Sequence, residues 1–297
     1  MKKYIAPLLL ILSACGAKTG SPRVEGIDEY RRDLYSLREQ VLSKSFLCKE
    51  GFYGVPYSDE RCDSGDSVIF AGLSCLSGGR NCETVKRSQG EDGRWWRSPA
   101  RVGTDTPPTF SRDQSKGVLA YLLRTKDTSA ARKWLGYIRS ENSRLCPDGI
   151  AHCGISATLW SLFGDVWRAL GLSPTSNMQT ARAGDDAIRI REASRNSGYR
   201  LHLTALDSWL RRSANRGDRI DDTVTRIIHR RQPKNPFYAY LAGEYEIAAQ
   251  ETLKKCANSP SGSRRQWAWQ REESEAAWKD SQGWDCIFII DLLLADR

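Results

Sequence analysis

The stretch 157-ATLWSLFGDVWRALG-171 carries the strongest helical pattern in the chain. Its large apolar side chains recur every three or four residues, at Leu159, Leu162, Phe163, Val166, Trp167 and Leu170. An α-helix has about 3.6 residues per turn, so this spacing places them on one face that must pack against other elements. We expect the helix to end at Gly171, because glycine is favoured just past a helix terminus. The pattern therefore predicts helices packed on helices.

Helical patterns extend over most of the remaining chain. Ser111 followed by Gln114 is a capping-box signature, which predicts a helix from that point to Thr125. Asp127 or Thr128 is expected to cap the next helix. We predict further helices over residues 27–47, about 185–213, 219–231, 236–257 and 272–294. Residues 48–110 contain Gly, Pro and Ser clusters that are typical of long ordered loops.

The periodicity also decides the fold class. Alternating polar and apolar residues, the pattern of strands, are nearly absent, so we predict an all-α protein. CIFII at 286–290 could form a strand, but DLLLAD follows it and favours a buried helix. Helical pairs can form a solenoid, a bundle or a closed double ring, and the lack of a fixed repeat length disfavours a solenoid. We therefore predict an (α/α) toroid-like helical-hairpin barrel with long disulfide-bonded loops.

The first residues, MKKYIAPLLLILSAC, have the composition of an export signal. The apolar run is much shorter than the ~20 residues that span a bilayer, and it follows two lysines, as in a secretory signal. The segment Leu12 to Cys15 resembles a bacterial lipobox, which implies cleavage before Cys15 and acylation of that cysteine. Gly16 in the next position implies, by analogy, the outer membrane. We predict a signal peptide over 1–14, a lipidated tether over 15–26 and one helical domain over 27–297; the alternative is an ordinary secretory signal.

Cysteine usage agrees with an oxidising compartment. Nine cysteines are present, and removing Cys15 leaves an even number, as expected where thiols pair. The simplest pairing joins neighbours: Cys48 to Cys62, Cys75 to Cys82, Cys146 to Cys153 and Cys256 to Cys286. Eight cysteines allow 105 pairings, so this pairing rests on proximity alone. A zinc site that includes His152 is the alternative, but the spacing between cysteines argues against it.

The charge balance favours anionic partners. The chain has 45 Lys and Arg against 36 Asp and Glu, and removal of Lys2 and Lys3 leaves a net charge of +7. Such a field favours polysaccharide, peptidoglycan or lipid headgroups. Nucleic acid is not expected, since the arginines are scattered and no nucleic-acid motif is present. The chain has no G-x-S-x-G elbow, phosphate loop, dinucleotide fingerprint or metal motif, so we predict neither cofactor nor metal.

Two motifs and the helical body carry a family resemblance. The run 93-GRWWRSP-99 precedes 110-FSRDQSKG-117, which opens a helix, and helical hairpins and an aromatic C-terminal segment follow. This arrangement resembles the six-hairpin glycosidases and related toroid enzymes, although no diagnostic motif assigns one family. The resemblance implies an enzyme that acts on glycan.

Glycosidic cleavage needs two carboxylates, about 5 to 9.5 Å apart, one protonated and one ionised. Asp113 lies in the first turn of a helix, where the dipole favours the ionised form, and is our candidate base. Asp285 lies between Trp284 and an apolar helix, which would raise its pKa and suits an acid. Glu272 is the alternative acid, and Asp66 is a reserve candidate.

Aromatic rings beside charged groups are typical of sugar-binding surfaces. The predicted substrate-binding residues are Trp95, Trp96, Arg97, Arg112, Gln114, Trp267, Trp269 and Trp284. Helix capping alone would explain Gln114, and it is also our interpretation of Asp185 and Asp186. The sequence favours a hydrolase of cell-wall or surface polysaccharide. The alternative is a lipoprotein that binds glycan or an envelope partner without catalysis.

Overall fold

The computed structural model describes residues 27–44, 46–47, 56–57, 67–104, 110–147, 153–257 and 284–295. Helices dominate these ranges, which confirms the all-α prediction. From the N-terminus the elements are α1 (Arg31–Lys44), β1 (Phe46–Leu47), β2 (Pro56–Tyr57), α2 (Ser67–Gly78), α3 (Cys82–Lys86), α4 (Arg112–Thr125), α5 (Thr128–Ser140) and α6 (Ala157–Ala169). They continue with α7 (Ser176–Arg182), α8 (Asp185–Arg195), α9 (Gly198–Ser213), α10 (Arg219–Arg231), α11 (Pro236–Ala242), α12 (Tyr245–Cys256) and α13 (Trp284–Leu294). The strands β1 and β2 pair antiparallel.

Helix starts follow the predicted signals in part. α4 begins directly after Ser111, and the Asp127 carboxylate caps α5 by accepting a bond from the Ala130 backbone N–H at 2.9 Å. The predicted capping box is wrong, because the Ser111 side chain accepts no capping hydrogen bond. The Ser111 side chain therefore leaves the first backbone N–H groups of α4 without a capping acceptor.

Two predicted helices are each divided in the structure. The helix predicted over 185–213 breaks at Asn196 and Ser197, whose backbones are extended. The one predicted over 236–257 breaks at Gly243, whose φ of 85° lies in the left-handed region that glycine adopts without strain. The region 48–110, which is rich in Gly, Pro and Ser, contains the helices α2 and α3. Of the helix predicted over 272–294, the described part is α13.

An aromatic cluster forms the core beneath α6. The apolar face that the sequence predicts on this helix is buried, with Leu162, Phe163 and Val166 fully inaccessible. Phe163 stacks on Trp167 at 5.4 Å between ring centres, and Trp134 of α5 lies 4.7 Å from Phe163. Each such side chain contributes about 1.5–3 kcal/mol by leaving water. The pattern in the opening stretch therefore holds α6 firmly in the core.

Two glycines let α2 and α4 touch backbone to backbone. A Cβ added at Gly72 would overlap the carbonyl of Gly117, and one added at Gly117 would overlap the carbonyl of Val68. No larger residue fits this crossing without moving a helix. The contact fixes the position of α4, whose first turns carry Arg112, Asp113 and Lys116.

Three of the predicted disulfides are present. Cys75 pairs with Cys82, Cys146 with Cys153, and Cys256 with Cys286, which ties α12 to α13. The predicted fourth pair, Cys48 with Cys62, lies outside the described residues. Within the described ranges no helix is long and apolar enough to cross a membrane.

Candidate functional site

A cavity of about 430 Å³ opens where three helices begin. Arg112, Asp113 and Lys116 line it from the start of α4, Ser156 and Thr158 from the start of α6, and Tyr199 and Arg200 from the start of α9. Glu192 of α8 and Asp207 of α9 complete its charged lining. The three helices α4, α6 and α9 pack against one another, so their first turns are held together around the cavity.

The backbone N–H groups at the three helix starts give this cavity a positive electrostatic potential. The first N–H groups of a helix have no partner within it, and the macrodipole adds about half a positive charge there. In α6 the Ser156 hydroxyl accepts one of these bonds, from Leu159 N–H at 3.3 Å. Neither Ser111 nor Ser197 makes such a bond for α4 or α9. The starts of α4 and α9 therefore keep more of their donor capacity.

Three carboxylates from three helices line the cavity: Asp113, Glu192 and Asp207. Burial raises the pKa of Glu192, the charge of Asp207 raises it further, and Lys116 opposes both. Asp207 is ion-paired to the ammonium of Lys116, which is only 6% exposed. The cavity therefore contains one carboxyl group whose pKa is raised, mainly by burial, and one carboxylate paired with a lysine.

This arrangement can perform acid–base chemistry. A carboxyl group with a raised pKa can donate a proton to a leaving group near neutral pH. Asp113, at the partly exposed start of α4, can accept a proton or activate water. Asp207 is less suited to that task because its charge is held by Lys116.

The structure brings two of the predicted site residues into this cavity. Arg112 and Asp113 line it, whereas Gln114 is buried behind the start of α4 and Arg97 does not line it. Asp113 lies in the first turn of α4, and it also lines a cavity that is large enough for a small ligand.

The tryptophans of the GRWWRSP run lie elsewhere. Trp95 is fully buried, with its ring centre 6.0 Å from that of Tyr121 and 6.2 Å from that of Trp134. Trp96 is 8% exposed, and the Arg94 guanidinium covers its ring at 3.6 Å. The prediction that Trp95 and Trp96 form a sugar platform is wrong, because protein atoms already cover both rings.

The C-terminal candidates and one reserve residue stay predictions. Asp66, Glu272, Trp267 and Trp269 lie outside the described residues. Trp284 and Asp285 begin α13, but their side chains also lie outside the described part. The proposed pairing of Asp113 with either acid is therefore open.

Sequence reasoning missed the cavity residues that α8 and α9 supply. Glu192, Tyr199, Arg200 and Asp207 belong to polar helix surfaces with no motif around them. A weak signal was present in α4, where Lys116 follows Arg112 by four residues and so shares its helix face. The convergence itself depends on how α8 and α9 pack against α4, which spacing along the chain does not encode.

A second group of charges lies inside the protein. The Arg211 guanidinium donates to Asp165 and, at 2.6 Å, to Asp185, whose carboxylate also accepts a bond from the Ser161 hydroxyl at 2.8 Å. Burial raises the pKa of Asp185, and Arg211 opposes this. The interpretation of Asp185 as a helix cap is wrong: Gly184 occupies that position, and Asp185 is fully buried in an ion pair.

His202 lies behind the cavity as a neutral side chain. Its ring is fully buried, 5.5 Å from the ring centre of Phe237. Burial, and then the charge of Lys116, lower the pKa of His202 to about 3. Since it carries no charge near neutral pH, it adds no positive field to the cavity.

No protein-family model matches the chain, and comparisons with curated proteins and with solved structures give no match either. Over the described residues, no group of three or more His, Cys, Asp and Glu side chains is placed to hold a metal ion. The cavity is therefore the feature of the molecule from which we infer a function.

Proposed function

We propose that this protein is a glycoside hydrolase of cell-wall or surface polysaccharide and that the cavity is its active site. One observation carries the proposal: carboxyl groups from separate helices share a cavity, and burial raises the pKa of one of them, Glu192. Two carboxyl groups in these two states are what glycosidic cleavage requires.

Each group in the cavity has a role in this mechanism. Glu192 protonates the glycosidic oxygen, and Asp113 acts on the opposite side of the sugar as base or nucleophile. Asp207 and Lys116 keep each other in place and set the field around Glu192. Tyr199, half of whose surface is exposed at the cavity, offers the aromatic face that Trp95 and Trp96 do not.

The location and the arrangement of the helices are part of the same proposal. An acylated Cys15 would tether the helical domain to the bacterial envelope, where polysaccharide and peptidoglycan are at hand. We propose the (α/α) toroid as the arrangement. Its support is that consecutive helices pack as pairs, such as α9 with α10 and α11 with α12.

The test is release of reducing ends from peptidoglycan and from acidic polysaccharides. We expect the wild type to cleave at least one polymer, and Glu192→Gln and Asp113→Asn each to lower turnover about 100-fold or more. Glu244→Gln, an exposed acid at the start of α12, is the matched control and should keep wild-type turnover. The proposal fails if the wild type cleaves none of these polymers, or if both cavity variants keep full turnover.

A glycan-binding protein without catalysis is the second candidate. It is favoured by the Lys116 to Asp207 ion pair, because a neutralised carboxylate can accept sugar hydroxyls but is a weak base. In that case the wild type would bind a polymer without releasing reducing ends, and Glu192→Gln would bind it equally well.

A further inference from the structure

We infer that the cavity selects a saccharide that carries an oxyanion group, and that Arg112 and Arg200 hold this group at the starts of α4 and α9. That the ligand is a saccharide rests on the proposed function. Binding of the anion is argued independently, from the charges that line the cavity.

Among the described residues, Arg112 and Arg200 are the basic side chains of the cavity that have no acidic partner. Three basic side chains line the cavity, and Lys116 is already paired with Asp207. Across the described ranges, Arg112 and Arg200 take part in no ion pair. The bond that Arg200 donates goes to the neutral Tyr199 hydroxyl at 3.4 Å. Two guanidinium groups thus face the cavity, and neither is paired with an acid in the part of the chain that the structure describes.

The opposing charge is smaller than the number of acids suggests. Asp207 is neutralised by Lys116, and burial favours the uncharged form of Glu192. When Glu192 is protonated, Asp113 is the remaining negative charge against Arg112 and Arg200. In that protonation state the described side chains that line the cavity sum to about +1, and the raised pKa of Glu192 shifts the equilibrium toward it, which favours an anionic group on the ligand.

Backbone and side-chain donors add to this positive field. α4 has 14 residues and α9 has 16, and neither is capped by the serine before it. A ligand oxyanion can therefore accept bonds from their first N–H groups, as anions at helix starts do. The Lys116 ammonium has three donors, and Asp207 is its one hydrogen-bond acceptor among the described residues, so it can also donate to a ligand.

Arginine suits this task because its planar fork binds both oxygens of a carboxylate or phosphate. The Arg200 guanidinium also lies 6.0 Å from the ring centre of Tyr199, which is 51% exposed. A sugar ring packed on Tyr199 would place a charged substituent beside Arg200. The recognition would thus join an apolar sugar face to an anionic group.

The probes for this inference are small monosaccharides, measured by calorimetric or NMR titration of the whole chain. We expect glucuronate or glucose 6-phosphate to bind at least 10-fold more tightly than glucose. The tighter of the two identifies the substituent as a carboxylate or as a phosphate ester. Equal affinity for glucose overturns the inference. Inorganic phosphate binding as tightly as both sugar anions overturns its saccharide part.

Matched arginine variants locate the anion. Arg112→Gln and Arg200→Gln should each weaken binding of the preferred sugar anion about 10-fold, which is about 1.4 kcal/mol, and leave glucose binding unchanged. Arg219→Gln is the control, since Arg219 is an exposed arginine that begins α10 just as Arg112 begins α4. Unchanged affinity in both cavity variants contradicts the inference.

The hydrolase proposal and the anion-binding inference can fail separately, and the experiments distinguish the two failures. Glu192→Gln removes the proton donor but no cation, so it should bind the sugar anion at least as well as the wild type. A wild type that binds glucuronate and cleaves no polymer refutes the hydrolase and leaves anion binding intact. If the wild type cleaves neutral and acidic polymers equally, and Arg112→Gln and Arg200→Gln cleave them as fast as the wild type, anion selection is refuted and the hydrolase proposal stands.

Discussion

Two groups of charged side chains in this protein have nearly the same composition and opposite surroundings. We define the closed cluster as Ser161, Asp165, Asp185 and Arg211. We define the open cluster as Asp113, Lys116, Glu192 and Asp207, with Arg112 and Arg200 at its edge. The closed cluster is inaccessible to water, whereas the open one lines a cavity of about 430 Å³.

The two clusters differ in the space around them more than in residue type, since one is buried and the other lines a cavity. In the closed cluster Arg211 is ion-paired with both carboxylates, and all of these side chains are buried. In the open cluster Lys116 and Asp207 form the one ion pair found among the described residues, so we expect the other charges to act on a ligand. We therefore expect substitutions in the closed cluster to affect stability, and substitutions in the open cluster to affect binding and turnover.

The largest effect is expected for Arg211→Met. Removing this guanidinium leaves Asp165 and Asp185 buried with less compensation, so the free energy of unfolding should fall by about 3–5 kcal/mol. Denaturant unfolding followed by circular dichroism measures it. Arg219→Met, on the surface of α10, should change it by less than about 0.5 kcal/mol. A loss below 1 kcal/mol for Arg211→Met would mean that the closed cluster does not stabilise the fold.

Asp291 of α13 provides an intermediate case between the two clusters. It is buried, yet it accepts bonds from Arg38 at 2.9 Å and from Arg80 at 2.7 Å, and Arg80 is partly exposed. Burial raises the pKa of Asp291 to about 6, and Arg38 opposes this.

Because the folded-state pKa of Asp291 is raised, its contribution to stability is present below about pH 4 and is lost as pH rises through about 6. The total is on the order of 2–3 kcal/mol. Asp291→Asn should therefore flatten the dependence of the unfolding free energy on pH between about 4 and 6. Asp33→Asn, an exposed acid on α1, should keep the wild-type slope. An unchanged slope in Asp291→Asn would show that this carboxyl group titrates as it would in water.

Gly117→Ala should lower both the stability of the fold and the affinity for the ligand. The added methyl group overlaps the backbone of α2, so α4 must move, at a cost of about 1–3 kcal/mol. Since Lys116 and Asp113 move with α4, affinity for the preferred sugar anion should fall as well. Gly136→Ala in α5 is the control, because a Cβ there meets no atom within 4 Å and the change should be neutral or stabilising. Stability and affinity equal to those of this control would contradict the tight crossing.

The sequence predicts the elements well where one apolar face decides them. α6 and α10 occupy the predicted positions because an amphipathic stripe can be buried in only one way. The break between α8 and α9 was missed, although Asn196, Ser197 and Gly198 form a cluster of residue types that is typical of turns.

The site was predictable only in part. Asp113 and Asp185 both begin helices and have the same local signature, yet one faces a cavity and the other is buried against Arg211. Trp95 was predicted to face a ligand and lies in the core. Burial is set by contacts between helices distant in sequence, so local pattern cannot separate these outcomes, and Glu192 had no signal at all.

The most direct test of the account is to measure turnover and unfolding of Glu192→Gln in the same preparation. If the open cluster is the active site, release of reducing ends should fall about 100-fold or more, and the free energy of unfolding should stay within about 1 kcal/mol of the wild type. Full turnover on a polymer that the wild type cleaves, or destabilisation as large as that of Arg211→Met, would contradict it.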